Sequence, residues 1–499
     1  MRRSKFNLSN YKLLSCDMGK LIPCGVQEVL PGDTFQHSTS ALVRLSPLVA
    51  PMMHPVDITI HHWYVPFRLI WEDWEDFITG GPDNDDASVF PTIDAGGSGF
   101  AVGSLADYLG CPTGVAGLDV SALPFRAYAL IYNEWYRDQD LQSELVIDET
   151  SGPDTTTNTS IVNRAWEKDY FTTARPWPQK GPEVTLPLGT LAPVKGIGIV
   201  DAQANAASGA VRATQAADDW NSSANVSNGF RVQIESAGNV GSTNRPQIFA
   251  DLSQASAASI NDLREAFALQ SMAEARALFG SRYTEYLRYL GVTSSDARLQ
   301  RPEYLGGGRQ TLQISEVLQT GPTTGGDTEG VGNLAGHGIS ALRSNRYRRF
   351  FEEHGLVLSL LSVKPKTMYV QGLPRMWNRR IKEDFWQKEL QNIGQQPILN
   401  KELYAAHSQP EGTFGWQDRY DEYRRSESTV AGAMRSTLNY WHMARIFSSD
   451  PTLNGDFVES VPTKRNFQVQ SADVLWIMAH HSLVARRLVK HSGVPKRIV

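Results

Sequence analysis

The segment from residue 54 to residue 81 constrains the fold of this chain more than any other. Its first half alternates apolar and polar residues with the period of a half-buried β-strand, since Val56, Ile58 and Ile60 are separated by Asp57 and Thr59. Its second half is crowded with aromatic side chains and ends in an acidic turn. Rings of this size must be covered either by the core of the same chain or by a partner. The aromatic residues include Trp63, Trp71 and Trp74.

The remaining pattern predicts scattered strands joined by long connections. We expect strands at Thr34–Leu45, at 355–369 and at 467–478. We also expect one helix that begins at Pro124 and a separate helical region over 259–290. Neither an internal repeat nor a βαβ rhythm is present. Scattered strands joined by long connections favour a mainly β protein, which is a sandwich or barrel with elaborate insertions.

A sharp change in composition divides the chain. Residues 189–257 are rich in Ala, Ser, Gly and Asn and poor in large apolar residues, so they cannot bury a core of their own. We therefore predict an N-terminal arm with a first strand (1–53), a β-domain with a helical insertion (54–188) and a variable surface insertion (189–257). The last part (258–499) should contain a second helical insertion, the remaining strands, loops and a basic C-terminal tail.

The charge and cysteine content exclude several classes of protein. A net charge of −5 and a pI of about 6.2 exclude a globally basic nucleic-acid coat. The three cysteines, Cys16, Cys24 and Cys111, lack metal-ligand spacing and are typical of buried thiols in a reducing compartment. The N-terminus lacks the apolar run of a signal peptide, and no apolar run is long enough to span a bilayer. We expect a soluble protein made and assembled in a cytoplasm.

No catalytic, metal or cofactor site is predicted. The chain has no phosphate loop, no H-E-x-x-H and no nucleophile elbow. The adjacent pairs at 61–62 and 480–481 would place their imidazoles on opposite faces of a strand, which disfavours a shared metal. The acidic run 83–86 favours a solvated turn over a calcium site. One alternative stays open, a carbohydrate-binding or carbohydrate-active β-domain in which Glu72 and Glu75 line a sugar cleft.

Basic residues are concentrated at the two ends of the chain. No acid follows Asp473, and two further groups of arginines lie at 343–349 and 375–382. For the middle groups, a salt-bridged surface is the favoured interpretation. For the ends, nucleic-acid contact and partner binding both stay open, because phosphate binding needs only local positive charge. The terminal residues are Arg2, Arg3, Lys5, Arg486, Arg487, Lys490, Lys496 and Arg497.

Several long motifs resemble one known family. The segment HPVDITIHHWYVPFRLIWEDWEDFITGG, the turn EVLPGDT at 28–34, the run DYFTTARPWPQKG at 169–181 and RPEYLGG at 301–307 are similar to the major capsid proteins of microviruses, which are small single-stranded DNA phages. The gokushovirus-like branch is the most similar. The matching motifs span most of the chain.

The resemblance implies a single eight-stranded antiparallel jelly roll with long, partly helical insertions. It further implies a structural protein that forms a T=1 shell of sixty copies around circular single-stranded DNA, with 189–257 as a three-fold protrusion for host attachment. The implied partners are other copies of the chain, the genome, a small basic DNA-binding virion protein, a minor pilot protein and a host surface receptor, without membrane insertion. Within this interpretation the terminal basic residues become genome-facing candidates. The candidate interface aromatics are Trp63, Trp71, Trp74, Trp135 and Trp177, and the candidate host-contact residues are Trp220, Asn225, Phe230 and Arg231.

Overall fold

A computed structural model describes residues 3–182, 184, 194–195, 198–200, 231–233, 249–250, 260–280, 282–318 and 334–490. The strands in chain order are β1 (Ser4–Asn7), β2 (Asn10–Cys16), β3 (Ile22–Val29), β4 (Thr34–Leu45), β5 (Val56–Pro66), β6 (Thr92–Asp94), β7 (Asp119–Ser121), β8 (Val194–Lys195), β9 (Gly198–Val200), β10 (Arg231–Gln233), β11 (Phe249–Ala250), β12 (Glu303–Thr311), β13 (Gln313–Leu318), β14 (Leu334–Arg343), β15 (Tyr347–Phe350), β16 (Gly355–Pro365), β17 (Gln395–Leu399), β18 (Thr413–Asp418) and β19 (Leu475–Arg487). The helices are α1 (Trp74–Thr79), α2 (Leu105–Leu109), α3 (Leu123–Trp135), α4 (Ile260–Phe279), α5 (Tyr283–Tyr289), α6 (Asn400–Leu403) and α7 (Gly455–Val458).

The chain forms two compact units. One consists of Met1–Pro178 and Arg276–Val499, and the other of Gln179–Ala275. The second unit contains the antiparallel pairs β9–β10 and β8–β11 and most of α4. The predicted insertion 189–257 falls within this unit and, apart from those four short strands, lies outside the described residues. Its role stays a prediction.

Two antiparallel sheets build the first unit. The first sheet has the strand order β1–β19–β4–β14–β13, with β2 also paired to β19 and β15 also paired to β4. The second sheet has the order β12–β5–β16–β3. Along the chain, β2, β4, β14 and β19 of the first sheet interleave with β3, β5, β12 and β16 of the second.

The interleaved course packs one face of each sheet against the other. The main core joins Val43 and Ile477 of the first sheet to Ile58, Ile60 and Leu361 of the second, all with no more than 3% of their surface exposed. This is the course of a wrapped β-sandwich of the viral type. The predicted mainly β, antiparallel fold is confirmed, whereas the count of eight strands stays a prediction because the two sheets contain additional short strands.

The strand β5, in the segment with alternating apolar residues, is buried on both faces. Ile58 and Ile60 of β5 face the other sheet, while Trp63 and Val65 pack with Tyr128 of α3 in a second apolar cluster. The predicted strand and the helix at Pro124 are confirmed, since β5 begins at Val56 and α3 covers Leu123–Trp135. An apolar helix on its outer side explains why this strand has so little exposed surface.

The C-terminal part differs from the expectation of a strand at 467–478 followed by a basic tail. The strand begins only at Leu475 and continues to Arg487, between β4 on one side and β1 and β2 on the other. Alternate side chains from Leu475 to Ala485 are buried, and they include the polar His481. The prediction was wrong here because a buried histidine breaks the apolar alternation that identifies a strand.

Candidate nucleic-acid interface

The first sheet turns one face toward the core, and we call its other face the outer face. Side chains alternate along each strand, so directly paired residues lie side by side on the same face. Trp476 pairs with Arg44, Met478 pairs with Leu42 and Leu13, and His480 pairs with Tyr11. Four of these side chains are well exposed, at 48% for Trp476, 40% for Met478, 76% for Leu13 and 68% for Tyr11.

Six of the seven strands of this sheet contain no acidic residue, whereas the edge strand β13 carries Glu316 and the Asp473 carboxylate, just before β19, accepts a hydrogen bond from the exposed Ser15. In β1, β2, β4, β14, β15 and β19 there is neither Asp nor Glu. The outer face carries Lys5 directly opposite Arg486, Arg343 opposite Ser40, and Arg348 opposite Gln36. With Arg44, these cations form no ion pair with any residue in the described ranges. The face is therefore positively charged although the whole chain is acidic.

Exposed rings lie among these cations. The rings of Tyr11 and His480 stack with centroids 4.4 Å apart at an angle of 27°. Arg3 donates to the carbonyl oxygen of Gly32 and places its guanidinium 5.3 Å from the centre of the exposed Phe350 ring. Cations with exposed rings are the usual composition of a surface that binds single-stranded nucleic acid.

The predicted genome-facing residues divide into three groups. Lys5 and Arg486 lie on the outer face, with Arg3 at its edge, and Lys490 is exposed just after β19. Arg487 is directed to the core side, where it pairs with the buried carboxylate of Asp33 at 3.0 Å and donates to the Glu28 carbonyl oxygen. Burial raises the pKa of Asp33, and the guanidinium opposes that rise. The remaining candidates, Arg2, Lys496 and Arg497, lie outside the described residues.

Three cations of this face were not among the predicted site residues. Arg44 was not singled out, and Arg343 and Arg348 belonged to a group interpreted as a salt-bridged surface. Only Arg349 of that group forms a salt bridge here, to Glu303 at 2.9 Å. The absence of acids from six strands is a signal that the sequence contains, but it becomes visible only when the strands are grouped into one sheet.

The predicted interface tryptophans are mostly covered by their own chain. Trp63 is 3% exposed and Trp71 is 0% exposed, and the Trp71 indole donates to the Ser151 hydroxyl at 2.8 Å. Such rings have almost no surface left for a second copy, which corrects the assignment for these two. Trp74 and Trp177 are half-buried, as is Trp135, which lies beneath the Arg301 guanidinium at 4.3 Å. For these three the interface role stays a prediction.

A different segment exposes large apolar side chains, and we call it the aromatic patch. Six residues between 376 and 393 keep 50–61% of their surface exposed. The segment is held in place by Arg375, which pairs with Glu402 at 3.1 Å, and by Arg379, which pairs with Glu422 at 3.5 Å. Clustered, rigidly held apolar residues with Trp and Arg are typical of protein–protein interfaces. The six residues are Met376, Trp377, Ile381, Phe385, Trp386 and Ile393.

Most of the predicted host-contact residues lie outside the part of the chain that the structure describes. Trp220, Asn225 and Phe230 lie outside the described residues, and Arg231 begins the short strand β10. Their assignment stays a prediction.

The adjacent histidines take different environments, as their strand positions predict. His61 shares a hydrogen bond with the Tyr136 hydroxyl at 2.7 Å, whereas His62 contacts Ser359 in the core. His37, His62 and His481 meet between the sheets. In the described part of the chain, no group of three His, Cys, Asp or Glu is arranged to hold a metal ion. Nor is any helix in those ranges long and apolar enough to cross a membrane.

Comparison with known proteins assigns the chain to a family. The sequence model of the family described as "Capsid protein (F protein)" matches residues 1–493. Capsid protein VP1 of Bdellovibrio phage phiMH2K is 39% identical over 94% of this chain and 90% of its own length. Capsid protein VP1 of Chlamydia phage 1 is 34% identical over 92% and 89%, and that of Spiroplasma virus 4 is 32% identical over 92% and 87%, respectively.

These relatives are structural proteins of phage particles. The predictions of a structural protein rather than an enzyme, and of a virion component, are therefore confirmed. The resemblance to the gokushovirus-like microviruses is confirmed as well. The chain belongs to the Capsid protein (F protein) family and is a microvirus major capsid protein.

Proposed function

We propose that this capsid protein assembles in the host bacterial cytoplasm into a T=1 shell of sixty copies around a circular single-stranded DNA genome. The outer face of the first sheet is the surface that meets the genome. The observation that carries this assignment is the acid-free composition of six adjacent strands. A small basic virion protein and a minor pilot protein are further partners in the particle.

The physical support is the match between this face and a flexible polyanion. Lys5, Arg44, Arg343, Arg348 and Arg486 supply positive charge that no neighbouring carboxylate neutralises. Each phosphate contact releases bound counterions and makes the affinity depend on salt. Exposed rings such as Trp476 can stack on bases of any sequence, as a shell that encloses a whole genome requires.

The DNA assignment is tested with a fluorescent oligothymidylate and purified wild-type protein across a range of salt concentrations. The variant Arg44→Gln/Arg343→Gln/Arg348→Gln should bind more weakly, and the slope of log K against log salt should flatten by up to about 2, at ~0.7 for each lost phosphate contact. The matched control replaces the exposed Arg288, Arg298 and Lys388 by Gln and should change neither quantity. Equal losses in both triple variants would show that the effect is only one of net charge and would remove the assignment.

The shell is tested separately by electron microscopy and sedimentation of wild-type particles. Uniform particles of sixty subunits are expected, and a stable monomer or shells of another size would contradict the T=1 proposal. The same particles test attachment, because the insertion contains the candidate host-contact residues. Deletion of residues 205–245 should abolish adsorption to host cells while shells still form. Loss of the shells would instead make the insertion an assembly element.

A further inference from the structure

A cavity of about 480 Å³ lies on the side of the second sheet that faces away from the first. Its walls come from β5, β12 and β16, from the end of α3 and from residues 164–168. It is separate from the outer face, which belongs to the other sheet. Tyr304, 44% exposed, stands in its wall.

Two half-buried cations point into this region without an ion-pair partner among the described residues. Nη1 of Arg164 donates to the hydroxyls of Thr59 at 2.5 Å and of Ser362 at 3.0 Å. Nζ of Lys364 donates to the Ala165 carbonyl oxygen at 3.0 Å. Neither cation forms an ion pair with another residue of the described ranges. Their hydrogen bonds go only to neutral oxygens.

The carboxylates nearby are already engaged. Asp57 pairs with Arg309 at 2.5 Å and accepts from the Thr311 hydroxyl at 3.1 Å, and Glu167 lies 3.3 Å from the same guanidinium. Three cations thus share two carboxylates, and both carboxylates bind the most exposed cation. Burial, reinforced by the charge of Arg164, lowers the pKa of Lys364 to about 7. A buried charge is costly unless an opposite charge compensates it.

We infer that this cavity binds a single phosphate group, free or as a nucleotide monophosphate, between Arg164 and Lys364. A guanidinium and an ammonium on one wall offer the charge-assisted donors that a phosphate needs. The cavity has room for an organic body beside the phosphate, and Tyr304 offers a ring against which it can lie. Asp57 and Glu167 at the same cavity repel a polyanion, which favours an isolated phosphate over a continuous DNA strand.

The bound phosphate has a structural consequence. It joins the segment 164–168 to β16 and supplies the anion that this pair of cations lacks. Lys364 must be protonated to bind it as a charged donor, so the affinity for a nucleotide monophosphate, whose second pKa is about 6, should rise as the pH falls from 8 to 7. The charged and titratable groups that line the cavity with Lys364 are Arg164, Arg309, Asp57, Glu167, Lys168, His61, Tyr136 and Tyr304.

The test uses the purified full chain, with inorganic phosphate and thymidine 5′-monophosphate as probes. Titration calorimetry and ³¹P NMR should show saturable binding of both probes, and the nucleotide should bind more tightly at pH 7 than at pH 8. Lys364→Met and Arg164→Gln should each weaken it at least tenfold, whereas the exposed Lys388→Met should leave it unchanged. Tighter binding of the nucleotide than of phosphate would identify a nucleotide as the source, and equal binding would identify free phosphate.

Two results would overturn the inference. One is a failure of both probes to bind wild-type protein. The other is equal binding by wild type and by Lys364→Met, measured on variants whose thermal unfolding is still cooperative. If the protein binds oligothymidylate but neither phosphate nor thymidine 5′-monophosphate, the inference also fails, because the oligonucleotide then binds outside this cavity. None of these results bears on shell formation, which is tested independently.

Discussion

Nε2 of His37 lies 3.1 Å from Nδ1 of His481, on neighbouring strands of the first sheet and inside the sandwich. The ring of His62, from the second sheet, stands 4.7 Å from that of His37. All three imidazoles are at most 4% exposed. Hydroxyls complete the network, since Thr39 contacts His481 at 2.9 Å and Ser344 contacts His62 at 3.1 Å. The two sheets are thus joined by polar groups that must stay neutral.

The first prediction is that acid destabilises the subunit through these histidines. Burial lowers the pKa of His37 to about 3 and also lowers the pKa values of His62 and His481. The unfolded chain takes up these protons near pH 6.5, so the free energy of unfolding falls as the pH drops below that value. Each histidine contributes up to about 1.4 kcal/mol per pH unit. Urea unfolding at pH 7.5, 6 and 5 measures the effect.

Two histidine variants test this prediction. His37→Gln should make the free energy of unfolding depend less on pH, and the control His337→Gln, at an exposed position, should leave that dependence unchanged. A free energy of unfolding that is constant between pH 7.5 and 5 would contradict the account.

The second prediction concerns the space around His481. A Cβ added at Gly25 would lie 2.5 Å from the imidazole, whose Nε2 donates to the Cys24 carbonyl oxygen at 2.9 Å. Gly25→Ala should therefore displace the ring and lower the free energy of unfolding by about 1–3 kcal/mol. Gly97→Ala meets no atom within 4 Å and should change it by less than ~0.5 kcal/mol. Equal stability of the two variants in urea would show that the ring moves without cost.

The third prediction concerns a fully buried ion pair. Arg126 of α3 donates to the Asp154 carboxylate at 2.9 Å, and both side chains are 0% exposed. Arg126→Met should leave Asp154 buried without its cation and cost about 3–5 kcal/mol in urea unfolding. Arg68→Met removes the more exposed pair with Glu353 and should cost no more than ~1 kcal/mol. Similar losses in the two variants would contradict this difference.

The fourth prediction concerns assembly. Trp377 and Trp386 are 61% and 51% exposed on the aromatic patch. Because they support little of the subunit's own core, Trp377→Ala/Trp386→Ala should change the free energy of unfolding by less than ~0.5 kcal/mol. The same variant should yield few or no shells by sedimentation, since exposed tryptophans are frequent hot spots of interfaces.

Trp476→Ala is the matched variant, because Trp476 is a similarly exposed tryptophan, at 48%, on the outer face of the first sheet and not on the aromatic patch. It should form shells but lose about 1–3 kcal/mol of affinity for oligothymidylate. Shell loss in this variant would identify the outer face as a contact between copies, and normal shells in the double variant would remove the patch from assembly.

Local sequence patterns predicted the elements whose pattern is undisturbed. The strand Thr34–Leu45 has the predicted bounds, and Gly355–Pro365 lies in the predicted apolar run. The helix after Pro124 also agrees, because its rings recur on one face. The last strand could not be delimited this way, since its burial of His481 depends on hydroxyl and imidazole partners from distant strands.

The candidate site was less accessible to sequence reasoning. Lys5 and Arg486 were predicted as separate basic ends, and only the pairing of β1 with β19 places them side by side. Arg44 and Arg343 are about three hundred residues apart and meet on one face through the pairing of β4 with β14. The exposure of the tryptophans was mispredicted for a related reason. Neither Trp71 in the core nor Trp377 on the surface has a local pattern that reveals its exposure.

The central place of β19 in the first sheet has a consequence for synthesis. The ribosome makes β1, β2 and β4 long before β19, yet all three pair with that strand, whose residues are 475–487. Until that strand emerges, the growing chain exposes the strand edges that will pair with it, and the first sheet is incomplete. Pairing of strands that lie so far apart in the sequence is slow. The positive surface is therefore completed only after β19 has been made.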